Sequence, residues 1–199
     1  MIIGNNQSQK ILFSVLRDFS VKHTITSLAE KLKLSRVGIW KVLKKLESQE
    51  LVKLEPLGKG KTNTYRIELN WDNPLTEKAL SFYLTQEALQ QKRWQWNFKE
   101  LEKYAEFVIL YGSILHSPKE ANDIDIINIV SNKKNFTKID EILNKLQIAQ
   151  QKKIHDINFS QQDFKNELKR PNKAFVHAIQ TGIILYGQEK FIKFIRDFT

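Results

Sequence analysis

The sequence predicts an α+β protein built in parts, and three observations predict it. In the first 70 residues, helical apolar stripes give way to two strand-like runs around Gly58-Lys59-Gly60-Lys61. From Leu75 to Tyr104 the pattern is helical, with or without a break, and carries more apolar surface than a solvated linker needs. From Phe107 onward, short β-type apolar runs alternate with helical spacing, as in a sheet whose strands are joined by helices. The expected divisions are 1–72, a helical linker over 73–104, and 105–199.

The first part begins with QSQKILFSVLRDF, where Ile11, Leu12, Val15, Leu16 and Phe19 share one helical stripe. Thr26-Ser27 is expected to cap a second helix, Leu28 to Leu32. Ser35 is expected to cap a third, Arg36 to Glu50, with Ile39, Leu43 and Leu46 inward and Lys41, Lys44 and Lys45 largely outward. Strands are expected at Leu51 to Leu54 and Thr64 to Leu69, joined by a flexible basic turn. Trp40 is expected to pack against that hairpin rather than stack on a base.

Asp72-Asn73-Pro74 is a helix-start signal. Leu80, Tyr83, Leu84, Leu89, Trp94, Trp96 and Phe98 then supply surface for a core or for a partner chain, and a homodimer through this stretch is expected.

The most informative stretch is Phe107 to Val130. An apolar run ends in Gly112-Ser113, and Asp123 and Asp125 follow on the next strand-like run. Residues i and i+2 of a strand share a face, so the two carboxylates project together. Such a pair repels itself unless a cation lies between the groups, and Mg²⁺ favours carboxylate and phosphate oxygens. Gly112 permits close approach of a phosphate, and the Ser113 hydroxyl can donate a hydrogen bond to it. Further on, a helix is expected over Asn135 to Gln147 and a strand over Lys153 to Phe159. In that strand Ile154, Asp156 and Asn158 alternate with His155, Ile157 and Phe159. Helices at Gln161 to Leu168 and Asn172 to Gln180, a strand at Ile183 to Tyr186 and a helix at Glu189 to Phe198 end the pattern.

Composition bounds the partners. Net charge is +10 and the isoelectric point is about 9.6, so a polyanion is an expected partner. Residues 1–70 carry 13 Lys and Arg against 6 Asp and Glu, so most of the excess lies in the first part. No cysteine is present, which excludes disulfides and thiolate metal sites. The histidines at 23, 116, 155 and 177 form no zinc-spaced pair. No apolar run reaches the ~20 residues of a membrane span, and MIIGNNQSQK lacks a basic leader before a long apolar core. A cytoplasmic protein without a membrane partner is expected.

Two resemblances rest on these residues. Three helices followed by a basic hairpin, over about residues 6 to 70, resemble a winged helix-turn-helix that binds duplex DNA. That likeness implies that Ser35, Arg36, Gly38 and Lys41 face base edges and phosphates, with Lys59, Lys61 and Asn63 of the hairpin tip against the adjacent backbone. Gly112-Ser113 followed by Asp123-Ile124-Asp125, with Thr181 to Gly187 near the end, is similar to the minimal branch of the DNA polymerase β-like nucleotidyltransferases.

This second likeness implies a nucleoside triphosphate, expected to be ATP, bound by Gly112 and Ser113, with Mg²⁺ on Asp123 and Asp125. It also implies a third carboxylate, assigned to Asp156, sharing a second metal and activating a protein, RNA or small-molecule hydroxyl. Where the family commonly has an arginine and a glycine, this chain has His116 and Ser117. The departure keeps open a non-enzymatic regulator whose nucleotidyltransferase-like domain senses nucleotides.

Overall fold

The computed structural model describes residues 6–58, 64–170 and 173–198. Lys59, Lys61 and Asn63, expected at the tip of the basic hairpin, lie outside the described residues. The protein is α+β, with a two-stranded antiparallel sheet and a mixed four-stranded sheet. It divides into two compact units, one running to Tyr83 and taking in Ile195–Asp197, the other comprising Leu84–Phe194 with Phe198.

The first unit opens with α1 (Asn6–Arg17), α2 (Ile25–Leu32) and α3 (Arg36–Ser48). Helix α2 starts earlier than the sequence predicts, because Thr24 is its cap rather than Thr26-Ser27. The Ser27 amide donates to Thr24 Oγ1 at 3.2 Å and the Thr24 amide donates to Ser27 Oγ at 2.8 Å, a reciprocal capping box. Ser35 caps α3 as expected, its Oγ accepting from the Gly38 amide at 3.0 Å. Helix α3 buries Ile39, Val42, Leu43 and Leu46, which lie three or four residues apart on one face. Strands β1 (Val52–Pro56) and β2 (Tyr65–Leu69) pair from Val52 with Leu69 to Pro56 with Tyr65. His23 bridges to Ile67 beside them. The Trp40 ring lies 5.4 Å from that of Tyr65, so Trp40 packs on the hairpin as expected.

Helix α4 spans Pro74–Leu89. The helical stretch expected to reach Tyr104 breaks there and resumes as α5 (Lys92–Asn97) and a 3-10 turn, Lys99–Lys103. Leu80, Tyr83, Leu84, Trp94 and Phe98 are buried within the chain, leaving Leu89 and Trp96 exposed.

The second unit is built on β3 (Phe107–Tyr111), β4 (Asp123–Val130), β5 (Lys153–Ser160) and β6 (Ile183–Tyr186), in the spatial order β5-β4-β3-β6. Strand β3 runs antiparallel to β4 and β6, and β4 runs parallel to β5. The parallel pair needs a crossover, supplied by α6 (Asn135–Ala149). Helices α7 (Gln161–Lys169), α8 (Lys173–Thr181) and α9 (Gln188–Arg196) complete the chain order.

Each face of this sheet is apolar over most of its area. Val108, Leu110, Ile124, Ile126 and Ile154 join Trp94, Phe98, Leu101, Ile139 and Leu143 in one core. On the alternate positions, Phe107 meets Phe164, Phe191 and Phe194 at centroid distances of 5.3–6.5 Å, and such aromatic contacts add to area burial. Polar side chains at the Asp123 end of β4 therefore stand out against a hydrophobic sheet. None of the described helices is long and apolar enough to cross a membrane.

Candidate functional site

Strand β3 delivers the chain to Gly112 with Tyr111 opposite Asp125 in the antiparallel register. Gly112 has φ +85 and ψ −166, a conformation open essentially to glycine alone. A methyl group added there would collide with the Asp125 carboxylate. The glycine thus has two physical reasons, its backbone angle and the closeness of an acidic side chain. A short 3-10 turn, Ser113–Leu115, follows, with the Gly112 and Ser113 carbonyls accepting from Leu115 and His116. Ser113 is exposed, so its hydroxyl is accessible to a ligand.

Asp123 and Asp125 project from one face of β4, as the i, i+2 spacing predicts. Their side chains are 33% and 23% exposed, and His155 is 45% exposed. The parallel register sets His155 opposite Asp125. His155 Nδ1 lies 3.3 Å from Asp123 Oδ2 and 3.7 Å from Asp125 Oδ1. One donor atom from each of the three groups falls within 4.8 Å of the others, an arrangement that could hold a metal ion. Burial pushes the Asp125 carboxyl above its ordinary range, the Asp123 charge adds to this, and His155 offsets part of it. The Tyr111 phenol is raised by burial and then by Asp125 and Asp123, so it titrates in the field of the same pair.

Asp156 is not part of this three-residue cluster, and its role as third carboxylate rests on the resemblance alone. It lies opposite Ile126 in the register, and successive strand residues point to opposite faces. Its neighbours belong to the other side of the sheet. Asn158 Nδ2 donates to Asp156 Oδ2 at 2.9 Å and to Asp140 Oδ1 of α6 at 3.1 Å. Asn128 Nδ2 in turn donates to Asn158 Oδ1 at 2.9 Å. Burial is the main reason the Asp156 carboxyl is raised, with the Asn158 hydrogen bond opposing it.

Two carboxylates and an imidazole suit one cation, but the residues present do not fit a second cation shared with Asp156. His155 and Tyr111 were missed by sequence reasoning. The only trace of His155 was its place in the alternation of KIHDINF, and nothing in the sequence fixed which phase of that alternation meets Asp125.

In the first unit, Ser35, Arg36 and Lys41 are exposed and Gly38 is partly so. Ser35 Oγ is occupied in capping α3. Between these polar groups stands Val37, 65% exposed, which sequence reasoning passed over. Lys44 is turned back over the Trp40 ring at 4.8 Å and pairs with Glu47. No protein-family model matches this sequence, and no curated protein is significantly similar to it.

Proposed function

We propose that the chain joins a winged helix-turn-helix that binds duplex DNA to a nucleotidyltransferase-like domain that binds a nucleoside triphosphate with a divalent cation. The observation that carries it is the convergence of Gly112 on the Asp125 carboxylate, beside Asp123. Gly112, with the exposed Ser113 next to it, and the paired acids come from two separate segments, and Gly112 meets Asp125 at one end of the sheet. Backbone N–H groups after Gly112 and the Ser113 hydroxyl would hold phosphate oxygens, and Asp123 and Asp125 would hold the cation, expected to be Mg²⁺. That cation would offset the charge of the triphosphate.

The first unit supports the DNA half of the reading. Its charge surplus and the exposed Arg36 and Lys41 on α3 fit a phosphate-lined groove. A homodimer reading two half-sites belongs to the same proposal, and light scattering with and without DNA tests it: a single-chain mass in both would remove it.

The output we favour is nucleotide-dependent regulation of DNA binding rather than transfer. Asp156 faces away from the acids, so the third carboxylate assumed by the transfer mechanism is missing from the cluster. Transfer remains the second reading, supported by the retained Asp123 and Asp125. In it the acceptor oxygen bonds to the α-phosphorus, the bond to the bridging oxygen breaks, pyrophosphate leaves and the hydroxyl proton passes to water.

One experiment separates the readings. The full chain is given labelled ATP with Mg²⁺ or Mn²⁺, and both bound nucleotide and label transferred to protein or RNA are measured. Binding without transfer supports regulation, transfer supports the enzyme, and equal affinity with and without metal overturns the site itself.

A further inference from the structure

The histidine in the acidic cluster is not explained by triphosphate binding alone. Resting on the nucleotide-site reading above, we propose that His155 is a nitrogen ligand of the cation and shifts the site from Mg²⁺ toward a first-row transition metal such as Mn²⁺.

The argument starts from distances. An imidazolium pairing directly with a carboxylate comes to ~2.7–2.9 Å. His155 Nδ1 instead stands 3.3 Å from Asp123 and 3.7 Å from Asp125, beyond that range for both. Two ligands at right angles on an ion, each at ~2.1 Å, lie roughly 3 Å apart, and opposite ligands roughly 4 Å apart. The separations between the three donor groups, all within 4.8 Å, are close to those of a common coordination sphere. Small side-chain rotations complete it, and a half-exposed His155 is free to make them.

The backbone fixes this placement. His155 is held opposite Asp125 by the parallel register of β4 and β5, whose pairing continues through Ser160. Ile154 on one side of it is buried, and Asp156 on the other is hydrogen-bonded to Asn158. A slip of one residue would expose that apolar position and break the polar network. His155 therefore cannot be exchanged for its acidic neighbour without unmaking the strand.

The donor chemistry then selects the metal. Mg²⁺ takes oxygen ligands and keeps several waters, so an imidazole adds little to its binding. Imidazole suits later first-row ions, and carboxylates also suit Mn²⁺, so a mixed set of two carboxylates and one imidazole favours transition metals. The cluster is consequently read as a one-metal site of mixed nitrogen and oxygen donors.

The test uses the full chain freed of metal by a chelator. Mn²⁺ and Mg²⁺ are titrated by calorimetry with and without ATP, and pulsed EPR of the Mn²⁺-loaded protein reads nitrogen coupling. Wild type should bind Mn²⁺ at least about tenfold more tightly than Mg²⁺ and show imidazole nitrogen coupling. His155→Gln should lose the coupling and most of that preference, and His155→Asp should bind Mg²⁺ more tightly than wild type does. Absence of nitrogen coupling in wild type, or an unchanged preference in His155→Gln, overturns the role of His155. With metal-dependent ATP binding intact, either result leaves the nucleotide site standing. Failure of both ions to bind, with ATP or without, overturns the site and this inference together.

Discussion

Helix α3 and the Asp123 end of β4 carry the two candidate functions by opposite means. On α3, the exposed groups Ser35, Arg36 and Lys41 follow one another along a single capped helix. In the proposed reading Arg36 and Lys41 would each act through its own contact, so the loss of one would leave the other in place, while Ser35 serves the helix as its cap. At β4 the site draws Gly112 from the end of β3, the two acids from β4 and His155 from β5. There the groups share one small volume, and a change in one alters the field and the space around the rest. A surface read along one helix should weaken by degrees, whereas a convergent cluster should fail at single positions.

The largest effect should come from Asp125→Asn. Removing one of two carboxylates from a shared cation should cost metal-dependent ATP affinity on the order of a hundredfold, read by calorimetry. Stability should move the other way. Burial and Asp123 raise the Asp125 carboxyl above 3.8 in the folded protein. The folded state therefore holds this proton more firmly than the unfolded state, and the stability so gained is present at low pH. It is lost as pH rises from about 3.8 through the folded value. Metal-free Asp125→Asn should thus melt no lower than wild type at neutral pH. A lower melting temperature there would show that the acid is structural.

Next in size is Gly112→Ala. The alanine would occupy a strained conformation costing about 1–3 kcal/mol, and its methyl would press on Asp125. Both melting temperature and metal-dependent ATP binding should fall. Unchanged binding would mean that the turn and the acids are not one site.

On α3 the effects should be graded. Arg36→Ala should cost about 1–3 kcal/mol of duplex affinity and relax sequence preference if it meets a base edge. Lys41→Ala should weaken binding uniformly and lower the salt slope by about one unit. Similar losses are expected for Lys59→Ala and Lys61→Ala. Salt-independent binding of the wild-type chain would undo the contrast, because phosphate contact releases counterions.

The smallest effect should be that of Asp156→Asn. The residue lies on the other face of the sheet, so ATP affinity should stay within about twofold of wild type. Burial raises its carboxyl, and the neutral amide keeps the side-chain size, so melting at neutral pH should not fall far. A loss of nucleotide binding comparable to that of Asp125→Asn would contradict the register described above.

Sequence alone determined what depends on near neighbours. The Ser35 cap, the inward positions of α3 and the shared face of Asp123 and Asp125 follow from spacings of a few residues. Gly112 was legible as the end of an apolar run where a phosphate could approach, but its positive φ and its closeness to Asp125 were not. Other features were settled only by chain segments far apart. Trp94 and Trp96, two residues apart in one stretch, parted company: Trp94 is in the core and Trp96 is 78% exposed. The third member of the acidic cluster shows the reason most plainly. The alternation of KIHDINF set His155 and Asp156 on opposite faces, but an alternation has two phases of equal standing. Which phase meets Asp125 depends on how β5 registers against β4. That register is fixed by hydrogen bonds and by packing of the sheet faces between segments about thirty residues apart, and no local spacing encodes it.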